Sequence, residues 1–146
     1  MTDNKITDAL QIVLADNYAL YLKTQNDHWN VTGANFRSLH LLFEEQYTDL
    51  FTANDDIAER IRTLGSKVPA TLGIFASVTN IEDGNENADA QTMVKELADD
   101  QAKILKSLTN ALHAAQKAQD EATIDFIINR IGVHEKAAWI LRSSLL

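Results

Sequence analysis

The sequence predicts an all-α fold, a four-helix bundle, because apolar residues recur at helical spacing, turn residues are scarce, and the apolar content can form a core. Apolar residues make up 45% of the 146 residues, and we expect a single domain over residues 1–146 because this is an ordinary domain length. Five glycines and one proline are too few for the many turns of an all-β protein.

The first two predicted helices form an antiparallel pair. The first runs from about Ile6 to Val31 and is broken by Gly33, and the second begins after Asn35 and runs to Leu64, where Gly65 stops it. A link this short forces neighbouring helices to run in opposite directions. Their apolar stripes consist of Ile6, Leu10, Val13, Leu14, Leu20 and Tyr21 in the first helix, and Phe36, Leu39, Phe43, Tyr47, Leu50, Phe51, Ile57, Ala58 and Ile61 in the second.

The last two predicted helices form a second antiparallel pair. We expect the third to start near Asn87 and the fourth at Asp120, both plausible N-caps, with a short link at about residues 118–119. Their stripes consist of Met93, Val94, Leu97, Ile104, Leu105, Leu108 and Leu112 in the third helix, and Ile124, Ile127, Ile128, Ile131, Ala138 and Leu141 in the fourth.

The long link between the two pairs, Gly65–Glu86, can run back along the bundle. One long crossover is the topology of ferritin-like four-helix bundles. Within this link, Thr71–Val78 is too apolar for a plain loop, so we expect a short extra helix there that packs on another surface.

The amino-acid composition limits which metal sites and which partners the chain can have. Without cysteine, disulfides and zinc fingers are excluded, and a metal would have to be held by His, Asp or Glu. The net charge of −8 favours cations over nucleic acid, although it equally suits ordinary solubility. We expect a cytoplasmic protein, because the N-terminus lacks the apolar run of a signal peptide and no apolar segment is long enough to cross a membrane.

A set of possible metal ligands lies on one flank of the second helix. His40, Glu44, Asp55 and Glu59 span an arc of about 100° around the helix axis. His28, late in the first helix, faces inward or into a seam. His40 and Asp55 are separated by about 22 Å of helix, whereas metal–ligand bonds are about 2 Å long. An antiparallel copy of this helix, related by a two-fold axis near Asp49–Leu50, would bring the two groups together as two equivalent sites.

These five residues leave two interpretations open. Mixed His and carboxylate ligands suit Fe(II), Mn(II) or Zn(II). Carboxylates on the flank of a long helix, however, are commonly a solvated face, and a His beside apolar neighbours is commonly structural.

Several motifs occur along the chain in a characteristic order. They are Asp27-His28-Trp29-Asn30-Val31, then Gly33, Phe36, Leu39-His40, Phe43-Glu44 and Tyr47, then Asp55-x-x-Ala58-Glu59-Arg60-Ile61-x-x-Leu64-Gly65, and finally Glu135-Lys136-x-x-Trp139-x-Leu141-Arg142. In combination these motifs resemble the Dps family, the DNA-binding proteins from starved cells, and the resemblance covers essentially the whole chain.

The resemblance implies a ferroxidase and iron-storage protein that assembles as a hollow dodecamer of two-fold dimers. It implies that Fe(II) is oxidised, preferentially by hydrogen peroxide, that Fe(III) mineral is stored, and that the cell is thereby protected from oxidative damage. The implied ligands are His28, His40 and Glu44 of one subunit with Asp55 and Glu59 of its partner. In our assignment His28, Asp55 and Glu59 hold the tighter of two irons, His40 and Glu44 hold the looser one, and zinc or manganese can substitute.

The resemblance also bears on residues with simpler explanations. Trp29 and Tyr47 match aromatic positions thought to supply electrons in the family, but packing at a dimer seam explains them equally well. Asp120 and Asp125 match acidic residues of an iron-entry pore, but they also suit an N-cap and the first turn of a helix. We take His113 and His134 as structural.

Two functional alternatives remain. The first is a non-catalytic cage, or a nucleoid or structural protein, with a vestigial or zinc-occupied site. The second is a zinc or manganese buffer that uses the same residues without redox turnover, which ligand type alone does not exclude.

We expect DNA binding to be weak or absent at physiological salt. Lys5 is the only basic residue before Ile6, and it lies between Asp3 and Asp8. No basic tail follows the fourth helix, so few phosphates can be neutralised. A gel-shift assay across a salt series measures this, and tight complexes that resist salt would contradict the expectation.

Overall fold

In the computed structural model, which describes residues 4–145, the chain forms five helices. They are α1 (Asn4–Asn30), α2 (Phe36–Thr63), α3 (Leu72–Val78), α4 (Ala90–Lys117) and α5 (Glu121–Ser143). The part of the chain that is described contains no strand. The predicted all-α bundle is confirmed, with two helix pairs and one long crossover that carries the short helix α3.

Left-handed backbone conformations mark three of the helix ends. Gly33 has φ of 115° and Gly65 has φ of 98°, values that glycine adopts without the steric cost that a Cβ brings. Both positions were predicted as helix breaks. Gln119 turns the chain between α4 and α5 with φ of 57°, which costs more for a residue with a side chain.

The predicted N-cap of the third long helix was wrong by two residues. Asn87 lies in a turn in which its backbone N–H donates to the Asn85 side chain. The cap is Asp89, whose carboxylate accepts the Thr92 backbone N–H at 2.7 Å and thereby satisfies one of the free donors of the first turn. At the fourth long helix the predicted cap, Asp120, is confirmed by its bond from the Thr123 N–H.

The core lies where α1 packs on α2 and α4, and where α4 packs on α5. Three residues of the predicted stripes, Phe36, Phe51 and Ile128, are instead exposed. Phe51 and Ile128 each directly follow a buried residue, so each lies about 100° around its helix from the core. The largest fully buried side chains are Phe43, Leu10, Leu20, Ile57, Ile61, Met93, Leu97, Ile104, Leu108, Ile127, Leu141 and His134.

A polar network joins α2, α4 and α5 inside the bundle. His134 Nδ1 donates to the Gln101 side-chain oxygen at 2.7 Å, and His134 Nε2 accepts from Arg130 at 2.9 Å. Arg130 also forms a two-pronged ion pair with Asp49. Burial, and then the charge of Arg130, lower the pKa of His134 from 6.5 to about 3. His134 is therefore a neutral structural residue, whereas His113 is exposed.

A second polar contact ties α1 to α4, where Lys23 lies 2.9 Å from the buried carboxylate of Asp100.

Within residues 4–145, no helix combines the length and the apolar character that crossing a bilayer requires.

We expect His134 to make the protein less stable as the pH falls below about 6.5. Between pH 6.5 and about 3 the unfolded chain binds a proton that the folded chain excludes, so the free energy of unfolding falls by up to about 1.4 kcal/mol per pH unit for this group. Urea unfolding of wild type and His134→Gln at pH 7 and pH 5 should show the smaller loss in the variant. His113→Gln, altered at an exposed position, should follow the wild type, and equal losses in all three proteins would contradict the assignment.

Candidate metal centre

Two of the predicted ligands, His28 and His40, form a tightly coupled pair. Their rings stack with centroids 3.8 Å apart and planes inclined by 12°. Each Nδ1 lies 2.7 Å from the backbone carbonyl oxygen of the other histidine. Because a carbonyl only accepts, each Nδ1 carries the proton, and each Nε2 keeps a free lone pair. This is the tautomer in which a histidine binds a metal through Nε2.

The end of α1 explains why this pairing forms. The last four carbonyls of a helix have no partner within the helix, and the His28 carbonyl belongs to this last turn. Residues 31–35 turn the chain so that the second turn of α2 lies against it, and the His40 ring then takes the free carbonyl.

Aromatic side chains enclose the histidine pair on two sides. Tyr47 meets His28 edge-on at 5.2 Å between centroids, and Phe36 stacks on His40 at 5.0 Å. Only 7% of His28 is exposed, whereas Trp29 is 63% exposed. Tyr47 is therefore in direct contact with a predicted ligand, while Trp29 presents its ring to the outside of the chain.

A second group of possible ligands lies further along α2. Oxygens of Asp55, Asp56 and Glu59 all lie within 4.8 Å of one another, and all three side chains are exposed. The pKa of Glu59 is raised, because its protonated form donates a hydrogen bond to Asp55 and because the Asp55 charge repels its ionised form. Such crowding of negative charge favours a bound cation.

Asp56 is absent from the residues singled out in the sequence. Its position is about 100° around the helix from Asp55, outside the flank chosen from the sequence, but it lies three residues before Glu59. Residues at this spacing are neighbours on a helix, and this spacing is the signal that could have identified it.

One chain does not bring all five predicted ligands together. The histidine pair and the carboxylate group lie at separate places along α2, with about 22 Å of helix between His40 and Asp55. Glu44 is exposed one turn after His40 and lies outside the carboxylate group.

An aromatic face connects the two groups along one side of the chain. We define this face by Tyr18, Tyr21, Tyr47, Phe51 and Phe75. Neighbouring rings in this set have centroids 5.0 to 6.1 Å apart. Phe51 is 57% exposed, and a groove of about 540 Å³ runs from this face to Asp55. The histidine pair borders one end of the face through Tyr47, and Asp55 borders the other.

The two predicted pore residues lie at the start of α5. Asp120 is already engaged, because its carboxylate accepts from the Thr123 N–H and hydroxyl and lies 3.5 Å from Arg60. The hydrogen bond from the Thr123 hydroxyl is the main reason that the pKa of Asp120 is lowered. Asp125 is exposed in the second turn of α5. Of the two, Asp125 has the more available carboxylate.

Comparison with known proteins gives a consistent result. Residues 7–145 match the ferritin-like domain family. The DNA protection during starvation protein 2 of Bacillus anthracis is 34% identical over 143 residues, which cover 98% of both chains. The crystal structure of Dps from Staphylococcus aureus superposes with a TM-score of 0.95 at 32% identity, covering 99% of this chain and 97% of that one. A Dps protein from Vibrio cholerae, described as a member of a broad superfamily of ferritin-like diiron-carboxylate proteins, gives 0.92 at 31% identity, with coverages of 96% and 88%.

We expect Asp55→Asn to lower the pKa of Glu59 toward its ordinary value of 4.5, because Asp55 is the main cause of the shift. NMR titration of the Glu59 side-chain carboxyl carbon in metal-free protein measures this. Asp56→Asn is the matched control, since Asp56 is the smallest contributor, and it should lower the titration midpoint less. A larger effect from the control would show that Asp55 is not the dominant neighbour.

Proposed function

The chain belongs to the Dps branch of the ferritin-like proteins, and on this premise we propose that it oxidises Fe(II) at a site shared by two subunits and stores the product as Fe(III) mineral. Membership in this branch fits iron storage and protection. Ferroxidase activity, a preference for hydrogen peroxide, assembly as a dodecamer and a cytoplasmic location are the finer parts of the proposal.

The observation that carries the proposal is the division of the ligands between two ends of one face. One end holds a free Nε2 on each histidine, and the other end, about 22 Å away along α2, holds three crowded carboxyl groups. Neither group is complete as an iron site. An antiparallel partner across a two-fold axis near Asp49–Leu50 would place the histidine pair of each subunit against the carboxylate group of the other, which would create two equivalent sites. The exposed part of the aromatic face would be buried between them.

The stacked rings support two irons at each site. A metal bound to a ring nitrogen lies close to the plane of that ring. The ring centroids are 3.8 Å apart and the ring planes are inclined by only 12°, so the two planes meet far beyond the length of a metal–nitrogen bond. His28 and His40 therefore suit two different ions. We assign His28 to the tighter iron, with Asp55 and Glu59 of the partner subunit, and we assign His40 and Glu44 to the looser one.

Two irons match the electron requirement of hydrogen peroxide. Two Fe(II) ions become two Fe(III) ions and release two electrons, and these electrons with two protons convert one peroxide into two waters. Transfer of both electrons to one peroxide avoids release of a hydroxyl radical. Within this scheme the chain's histidines and carboxylates bind and orient the substrate ions, and zinc or manganese would compete for the same ligands.

Iron delivery and storage require the assembled cage. We propose that the start of α5 lines an entry pore, with Asp125 as the more available carboxylate and Asp120 chiefly as the helix cap. The acidic character of the chain, with a net charge of −8, would draw cations toward such an opening.

We expect wild-type protein to accelerate oxidation of Fe(II) by peroxide well above the rate in buffer. The double variant His28→Ala/His40→Ala should lose this acceleration, because it removes both metal-binding nitrogens. Stopped-flow absorbance of the ferric product measures the rate, and His113→Ala, altered at an exposed histidine of α4, is the matched control. A wild-type rate equal to that in buffer would favour a non-catalytic cage or a metal buffer.

We expect two inactive variants to restore activity when their subunits are mixed. His28→Ala/His40→Ala and Asp55→Asn/Glu59→Gln each lack one half of every site. After random reassembly about half of the dimers are mixed and each has one intact site, so activity should reach about a quarter of wild type. Gel filtration should confirm assembly, and no recovery from properly assembled mixtures would show that the site is not shared.

A further inference from the structure

A buried carboxylate on α1 fastens the crossover to the bundle. Asp16 is fully buried and accepts hydrogen bonds from four donors. Three belong to the crossover: the Thr79 hydroxyl at 2.8 Å, the Asn80 backbone N–H at 2.6 Å, and the Asn80 side-chain amide at 3.4 Å. The fourth is the hydroxyl of Ser107 on α4.

The anchored segment is the end of α3. Thr79 is the C-cap residue of this helix, and its hydroxyl accepts the Ile81 N–H at 3.0 Å. Ile81 is buried. Three consecutive residues, 79–81, are thus fixed around one carboxylate at the point where the chain leaves α3.

Helix α3 needs such an anchor to keep its place. It has seven residues, too few for a helix to be stable by itself in water. Besides the Asp16 cluster, Phe75 of α3 packs on Tyr18 of α1 with ring centroids 5.0 Å apart. Three further side chains of α3, Leu72, Ile74 and Val78, are apolar and are 75%, 37% and 38% exposed.

The position of α3 bears on the candidate metal centre. The groove that borders Asp55 is also lined by Phe75 of α3 and Ala70 just before it. A partner that brings its histidine pair to Asp55 must therefore meet the surface that α3 forms. Under the proposed shared site, the occupant of this surface would be a second copy of the chain, because the adjoining half-site is incomplete without one.

We propose that Asp16 is a positioning residue for assembly of the shared site. By holding residues 79–81 against α1, it sets the apolar surface of α3 that the partner subunit packs on, next to Asp55. Within residues 4–145, the side-chain hydrogen-bond partners of Asp16 are Thr79, Asn80 and Ser107, none of which is a predicted metal ligand, so its effect on chemistry passes through the subunit interface. This inference rests on the proposed shared site.

The test compares three single variants. Asp16→Asn keeps the side-chain size but turns an N–H₂ group toward N–H and O–H donors. Thr79→Val removes the crossover hydroxyl, and Ser107→Ala, the matched control, removes the hydroxyl that α4 directs to the same carboxylate. Circular dichroism establishes that each variant folds. Analytical ultracentrifugation over a dilution series then gives the concentration at which half of the subunits are assembled, and ferroxidase rates are measured over the same series.

We expect Asp16→Asn and Thr79→Val to raise the half-assembly concentration at least ~10-fold, the effect of an interaction of hydrogen-bond strength. Activity per subunit should fall on dilution and return to the wild-type value at high concentration, because every metal ligand is intact. Ser107→Ala should leave half-assembly within ~3-fold of wild type even if its melting temperature falls, since it leaves the crossover contacts in place.

Two outcomes would overturn the inference. If folded Thr79→Val has the half-assembly concentration of the wild type, the anchor stabilises only the single chain. The same conclusion follows if Ser107→Ala raises the half-assembly concentration as much as Thr79→Val does. If Asp16→Asn does not fold, Thr79→Val alone decides. Wild-type protein that neither assembles nor oxidises iron would instead contradict the proposed function, which keeps the two failures distinct.

Discussion

The uninterrupted length of α2, Phe36–Thr63, is the constraint on which the rest of the structure depends. Its stripe of buried side chains, from Leu39 and Phe43 to Ile57 and Ile61, continues without a break along the core, so the helix cannot fold back to bring its two ends together. Ligands at positions 40 and 55 are therefore held apart by about 22 Å. In the proposed site, each subunit would hold two incomplete groups of ligands, and only association with a partner would make complementary groups adjacent. The free energy that stabilises the single chain therefore does not by itself complete the proposed metal site.

Much of the bundle could be predicted from the sequence because its causes are local. Apolar spacing identified the long helices, Gly33 and Gly65 marked breaks that require left-handed backbone, and the apolar stretch within the crossover indicated α3. The start of α4 was misplaced because Asn87 and Asp89 are both good caps by residue type, and the choice depends on the turn that Asn85 makes.

The less predictable features depend on tertiary contacts. The reciprocal bonds between the His28 and His40 rings and carbonyls require two helices to meet at one register, which spacing within one helix does not reveal. Asp16 lies among apolar neighbours on α1, and nothing local indicates that donors from residues 79, 80 and 107 converge on it. The exposure of Phe51 likewise follows from where the other helices pack.

The reciprocal histidine bonds also limit how the chain can change in length. The link formed by residues 31–35 is exposed over most of its length, and surface connections of this kind ordinarily accept insertions and deletions. Here one residue more or fewer would displace α2 relative to α1, and both ring-to-carbonyl bonds would be lost together. Variation in length among descendants of this sequence should therefore accumulate in other loops, while this short turn keeps a constant number of residues although most of them are exposed.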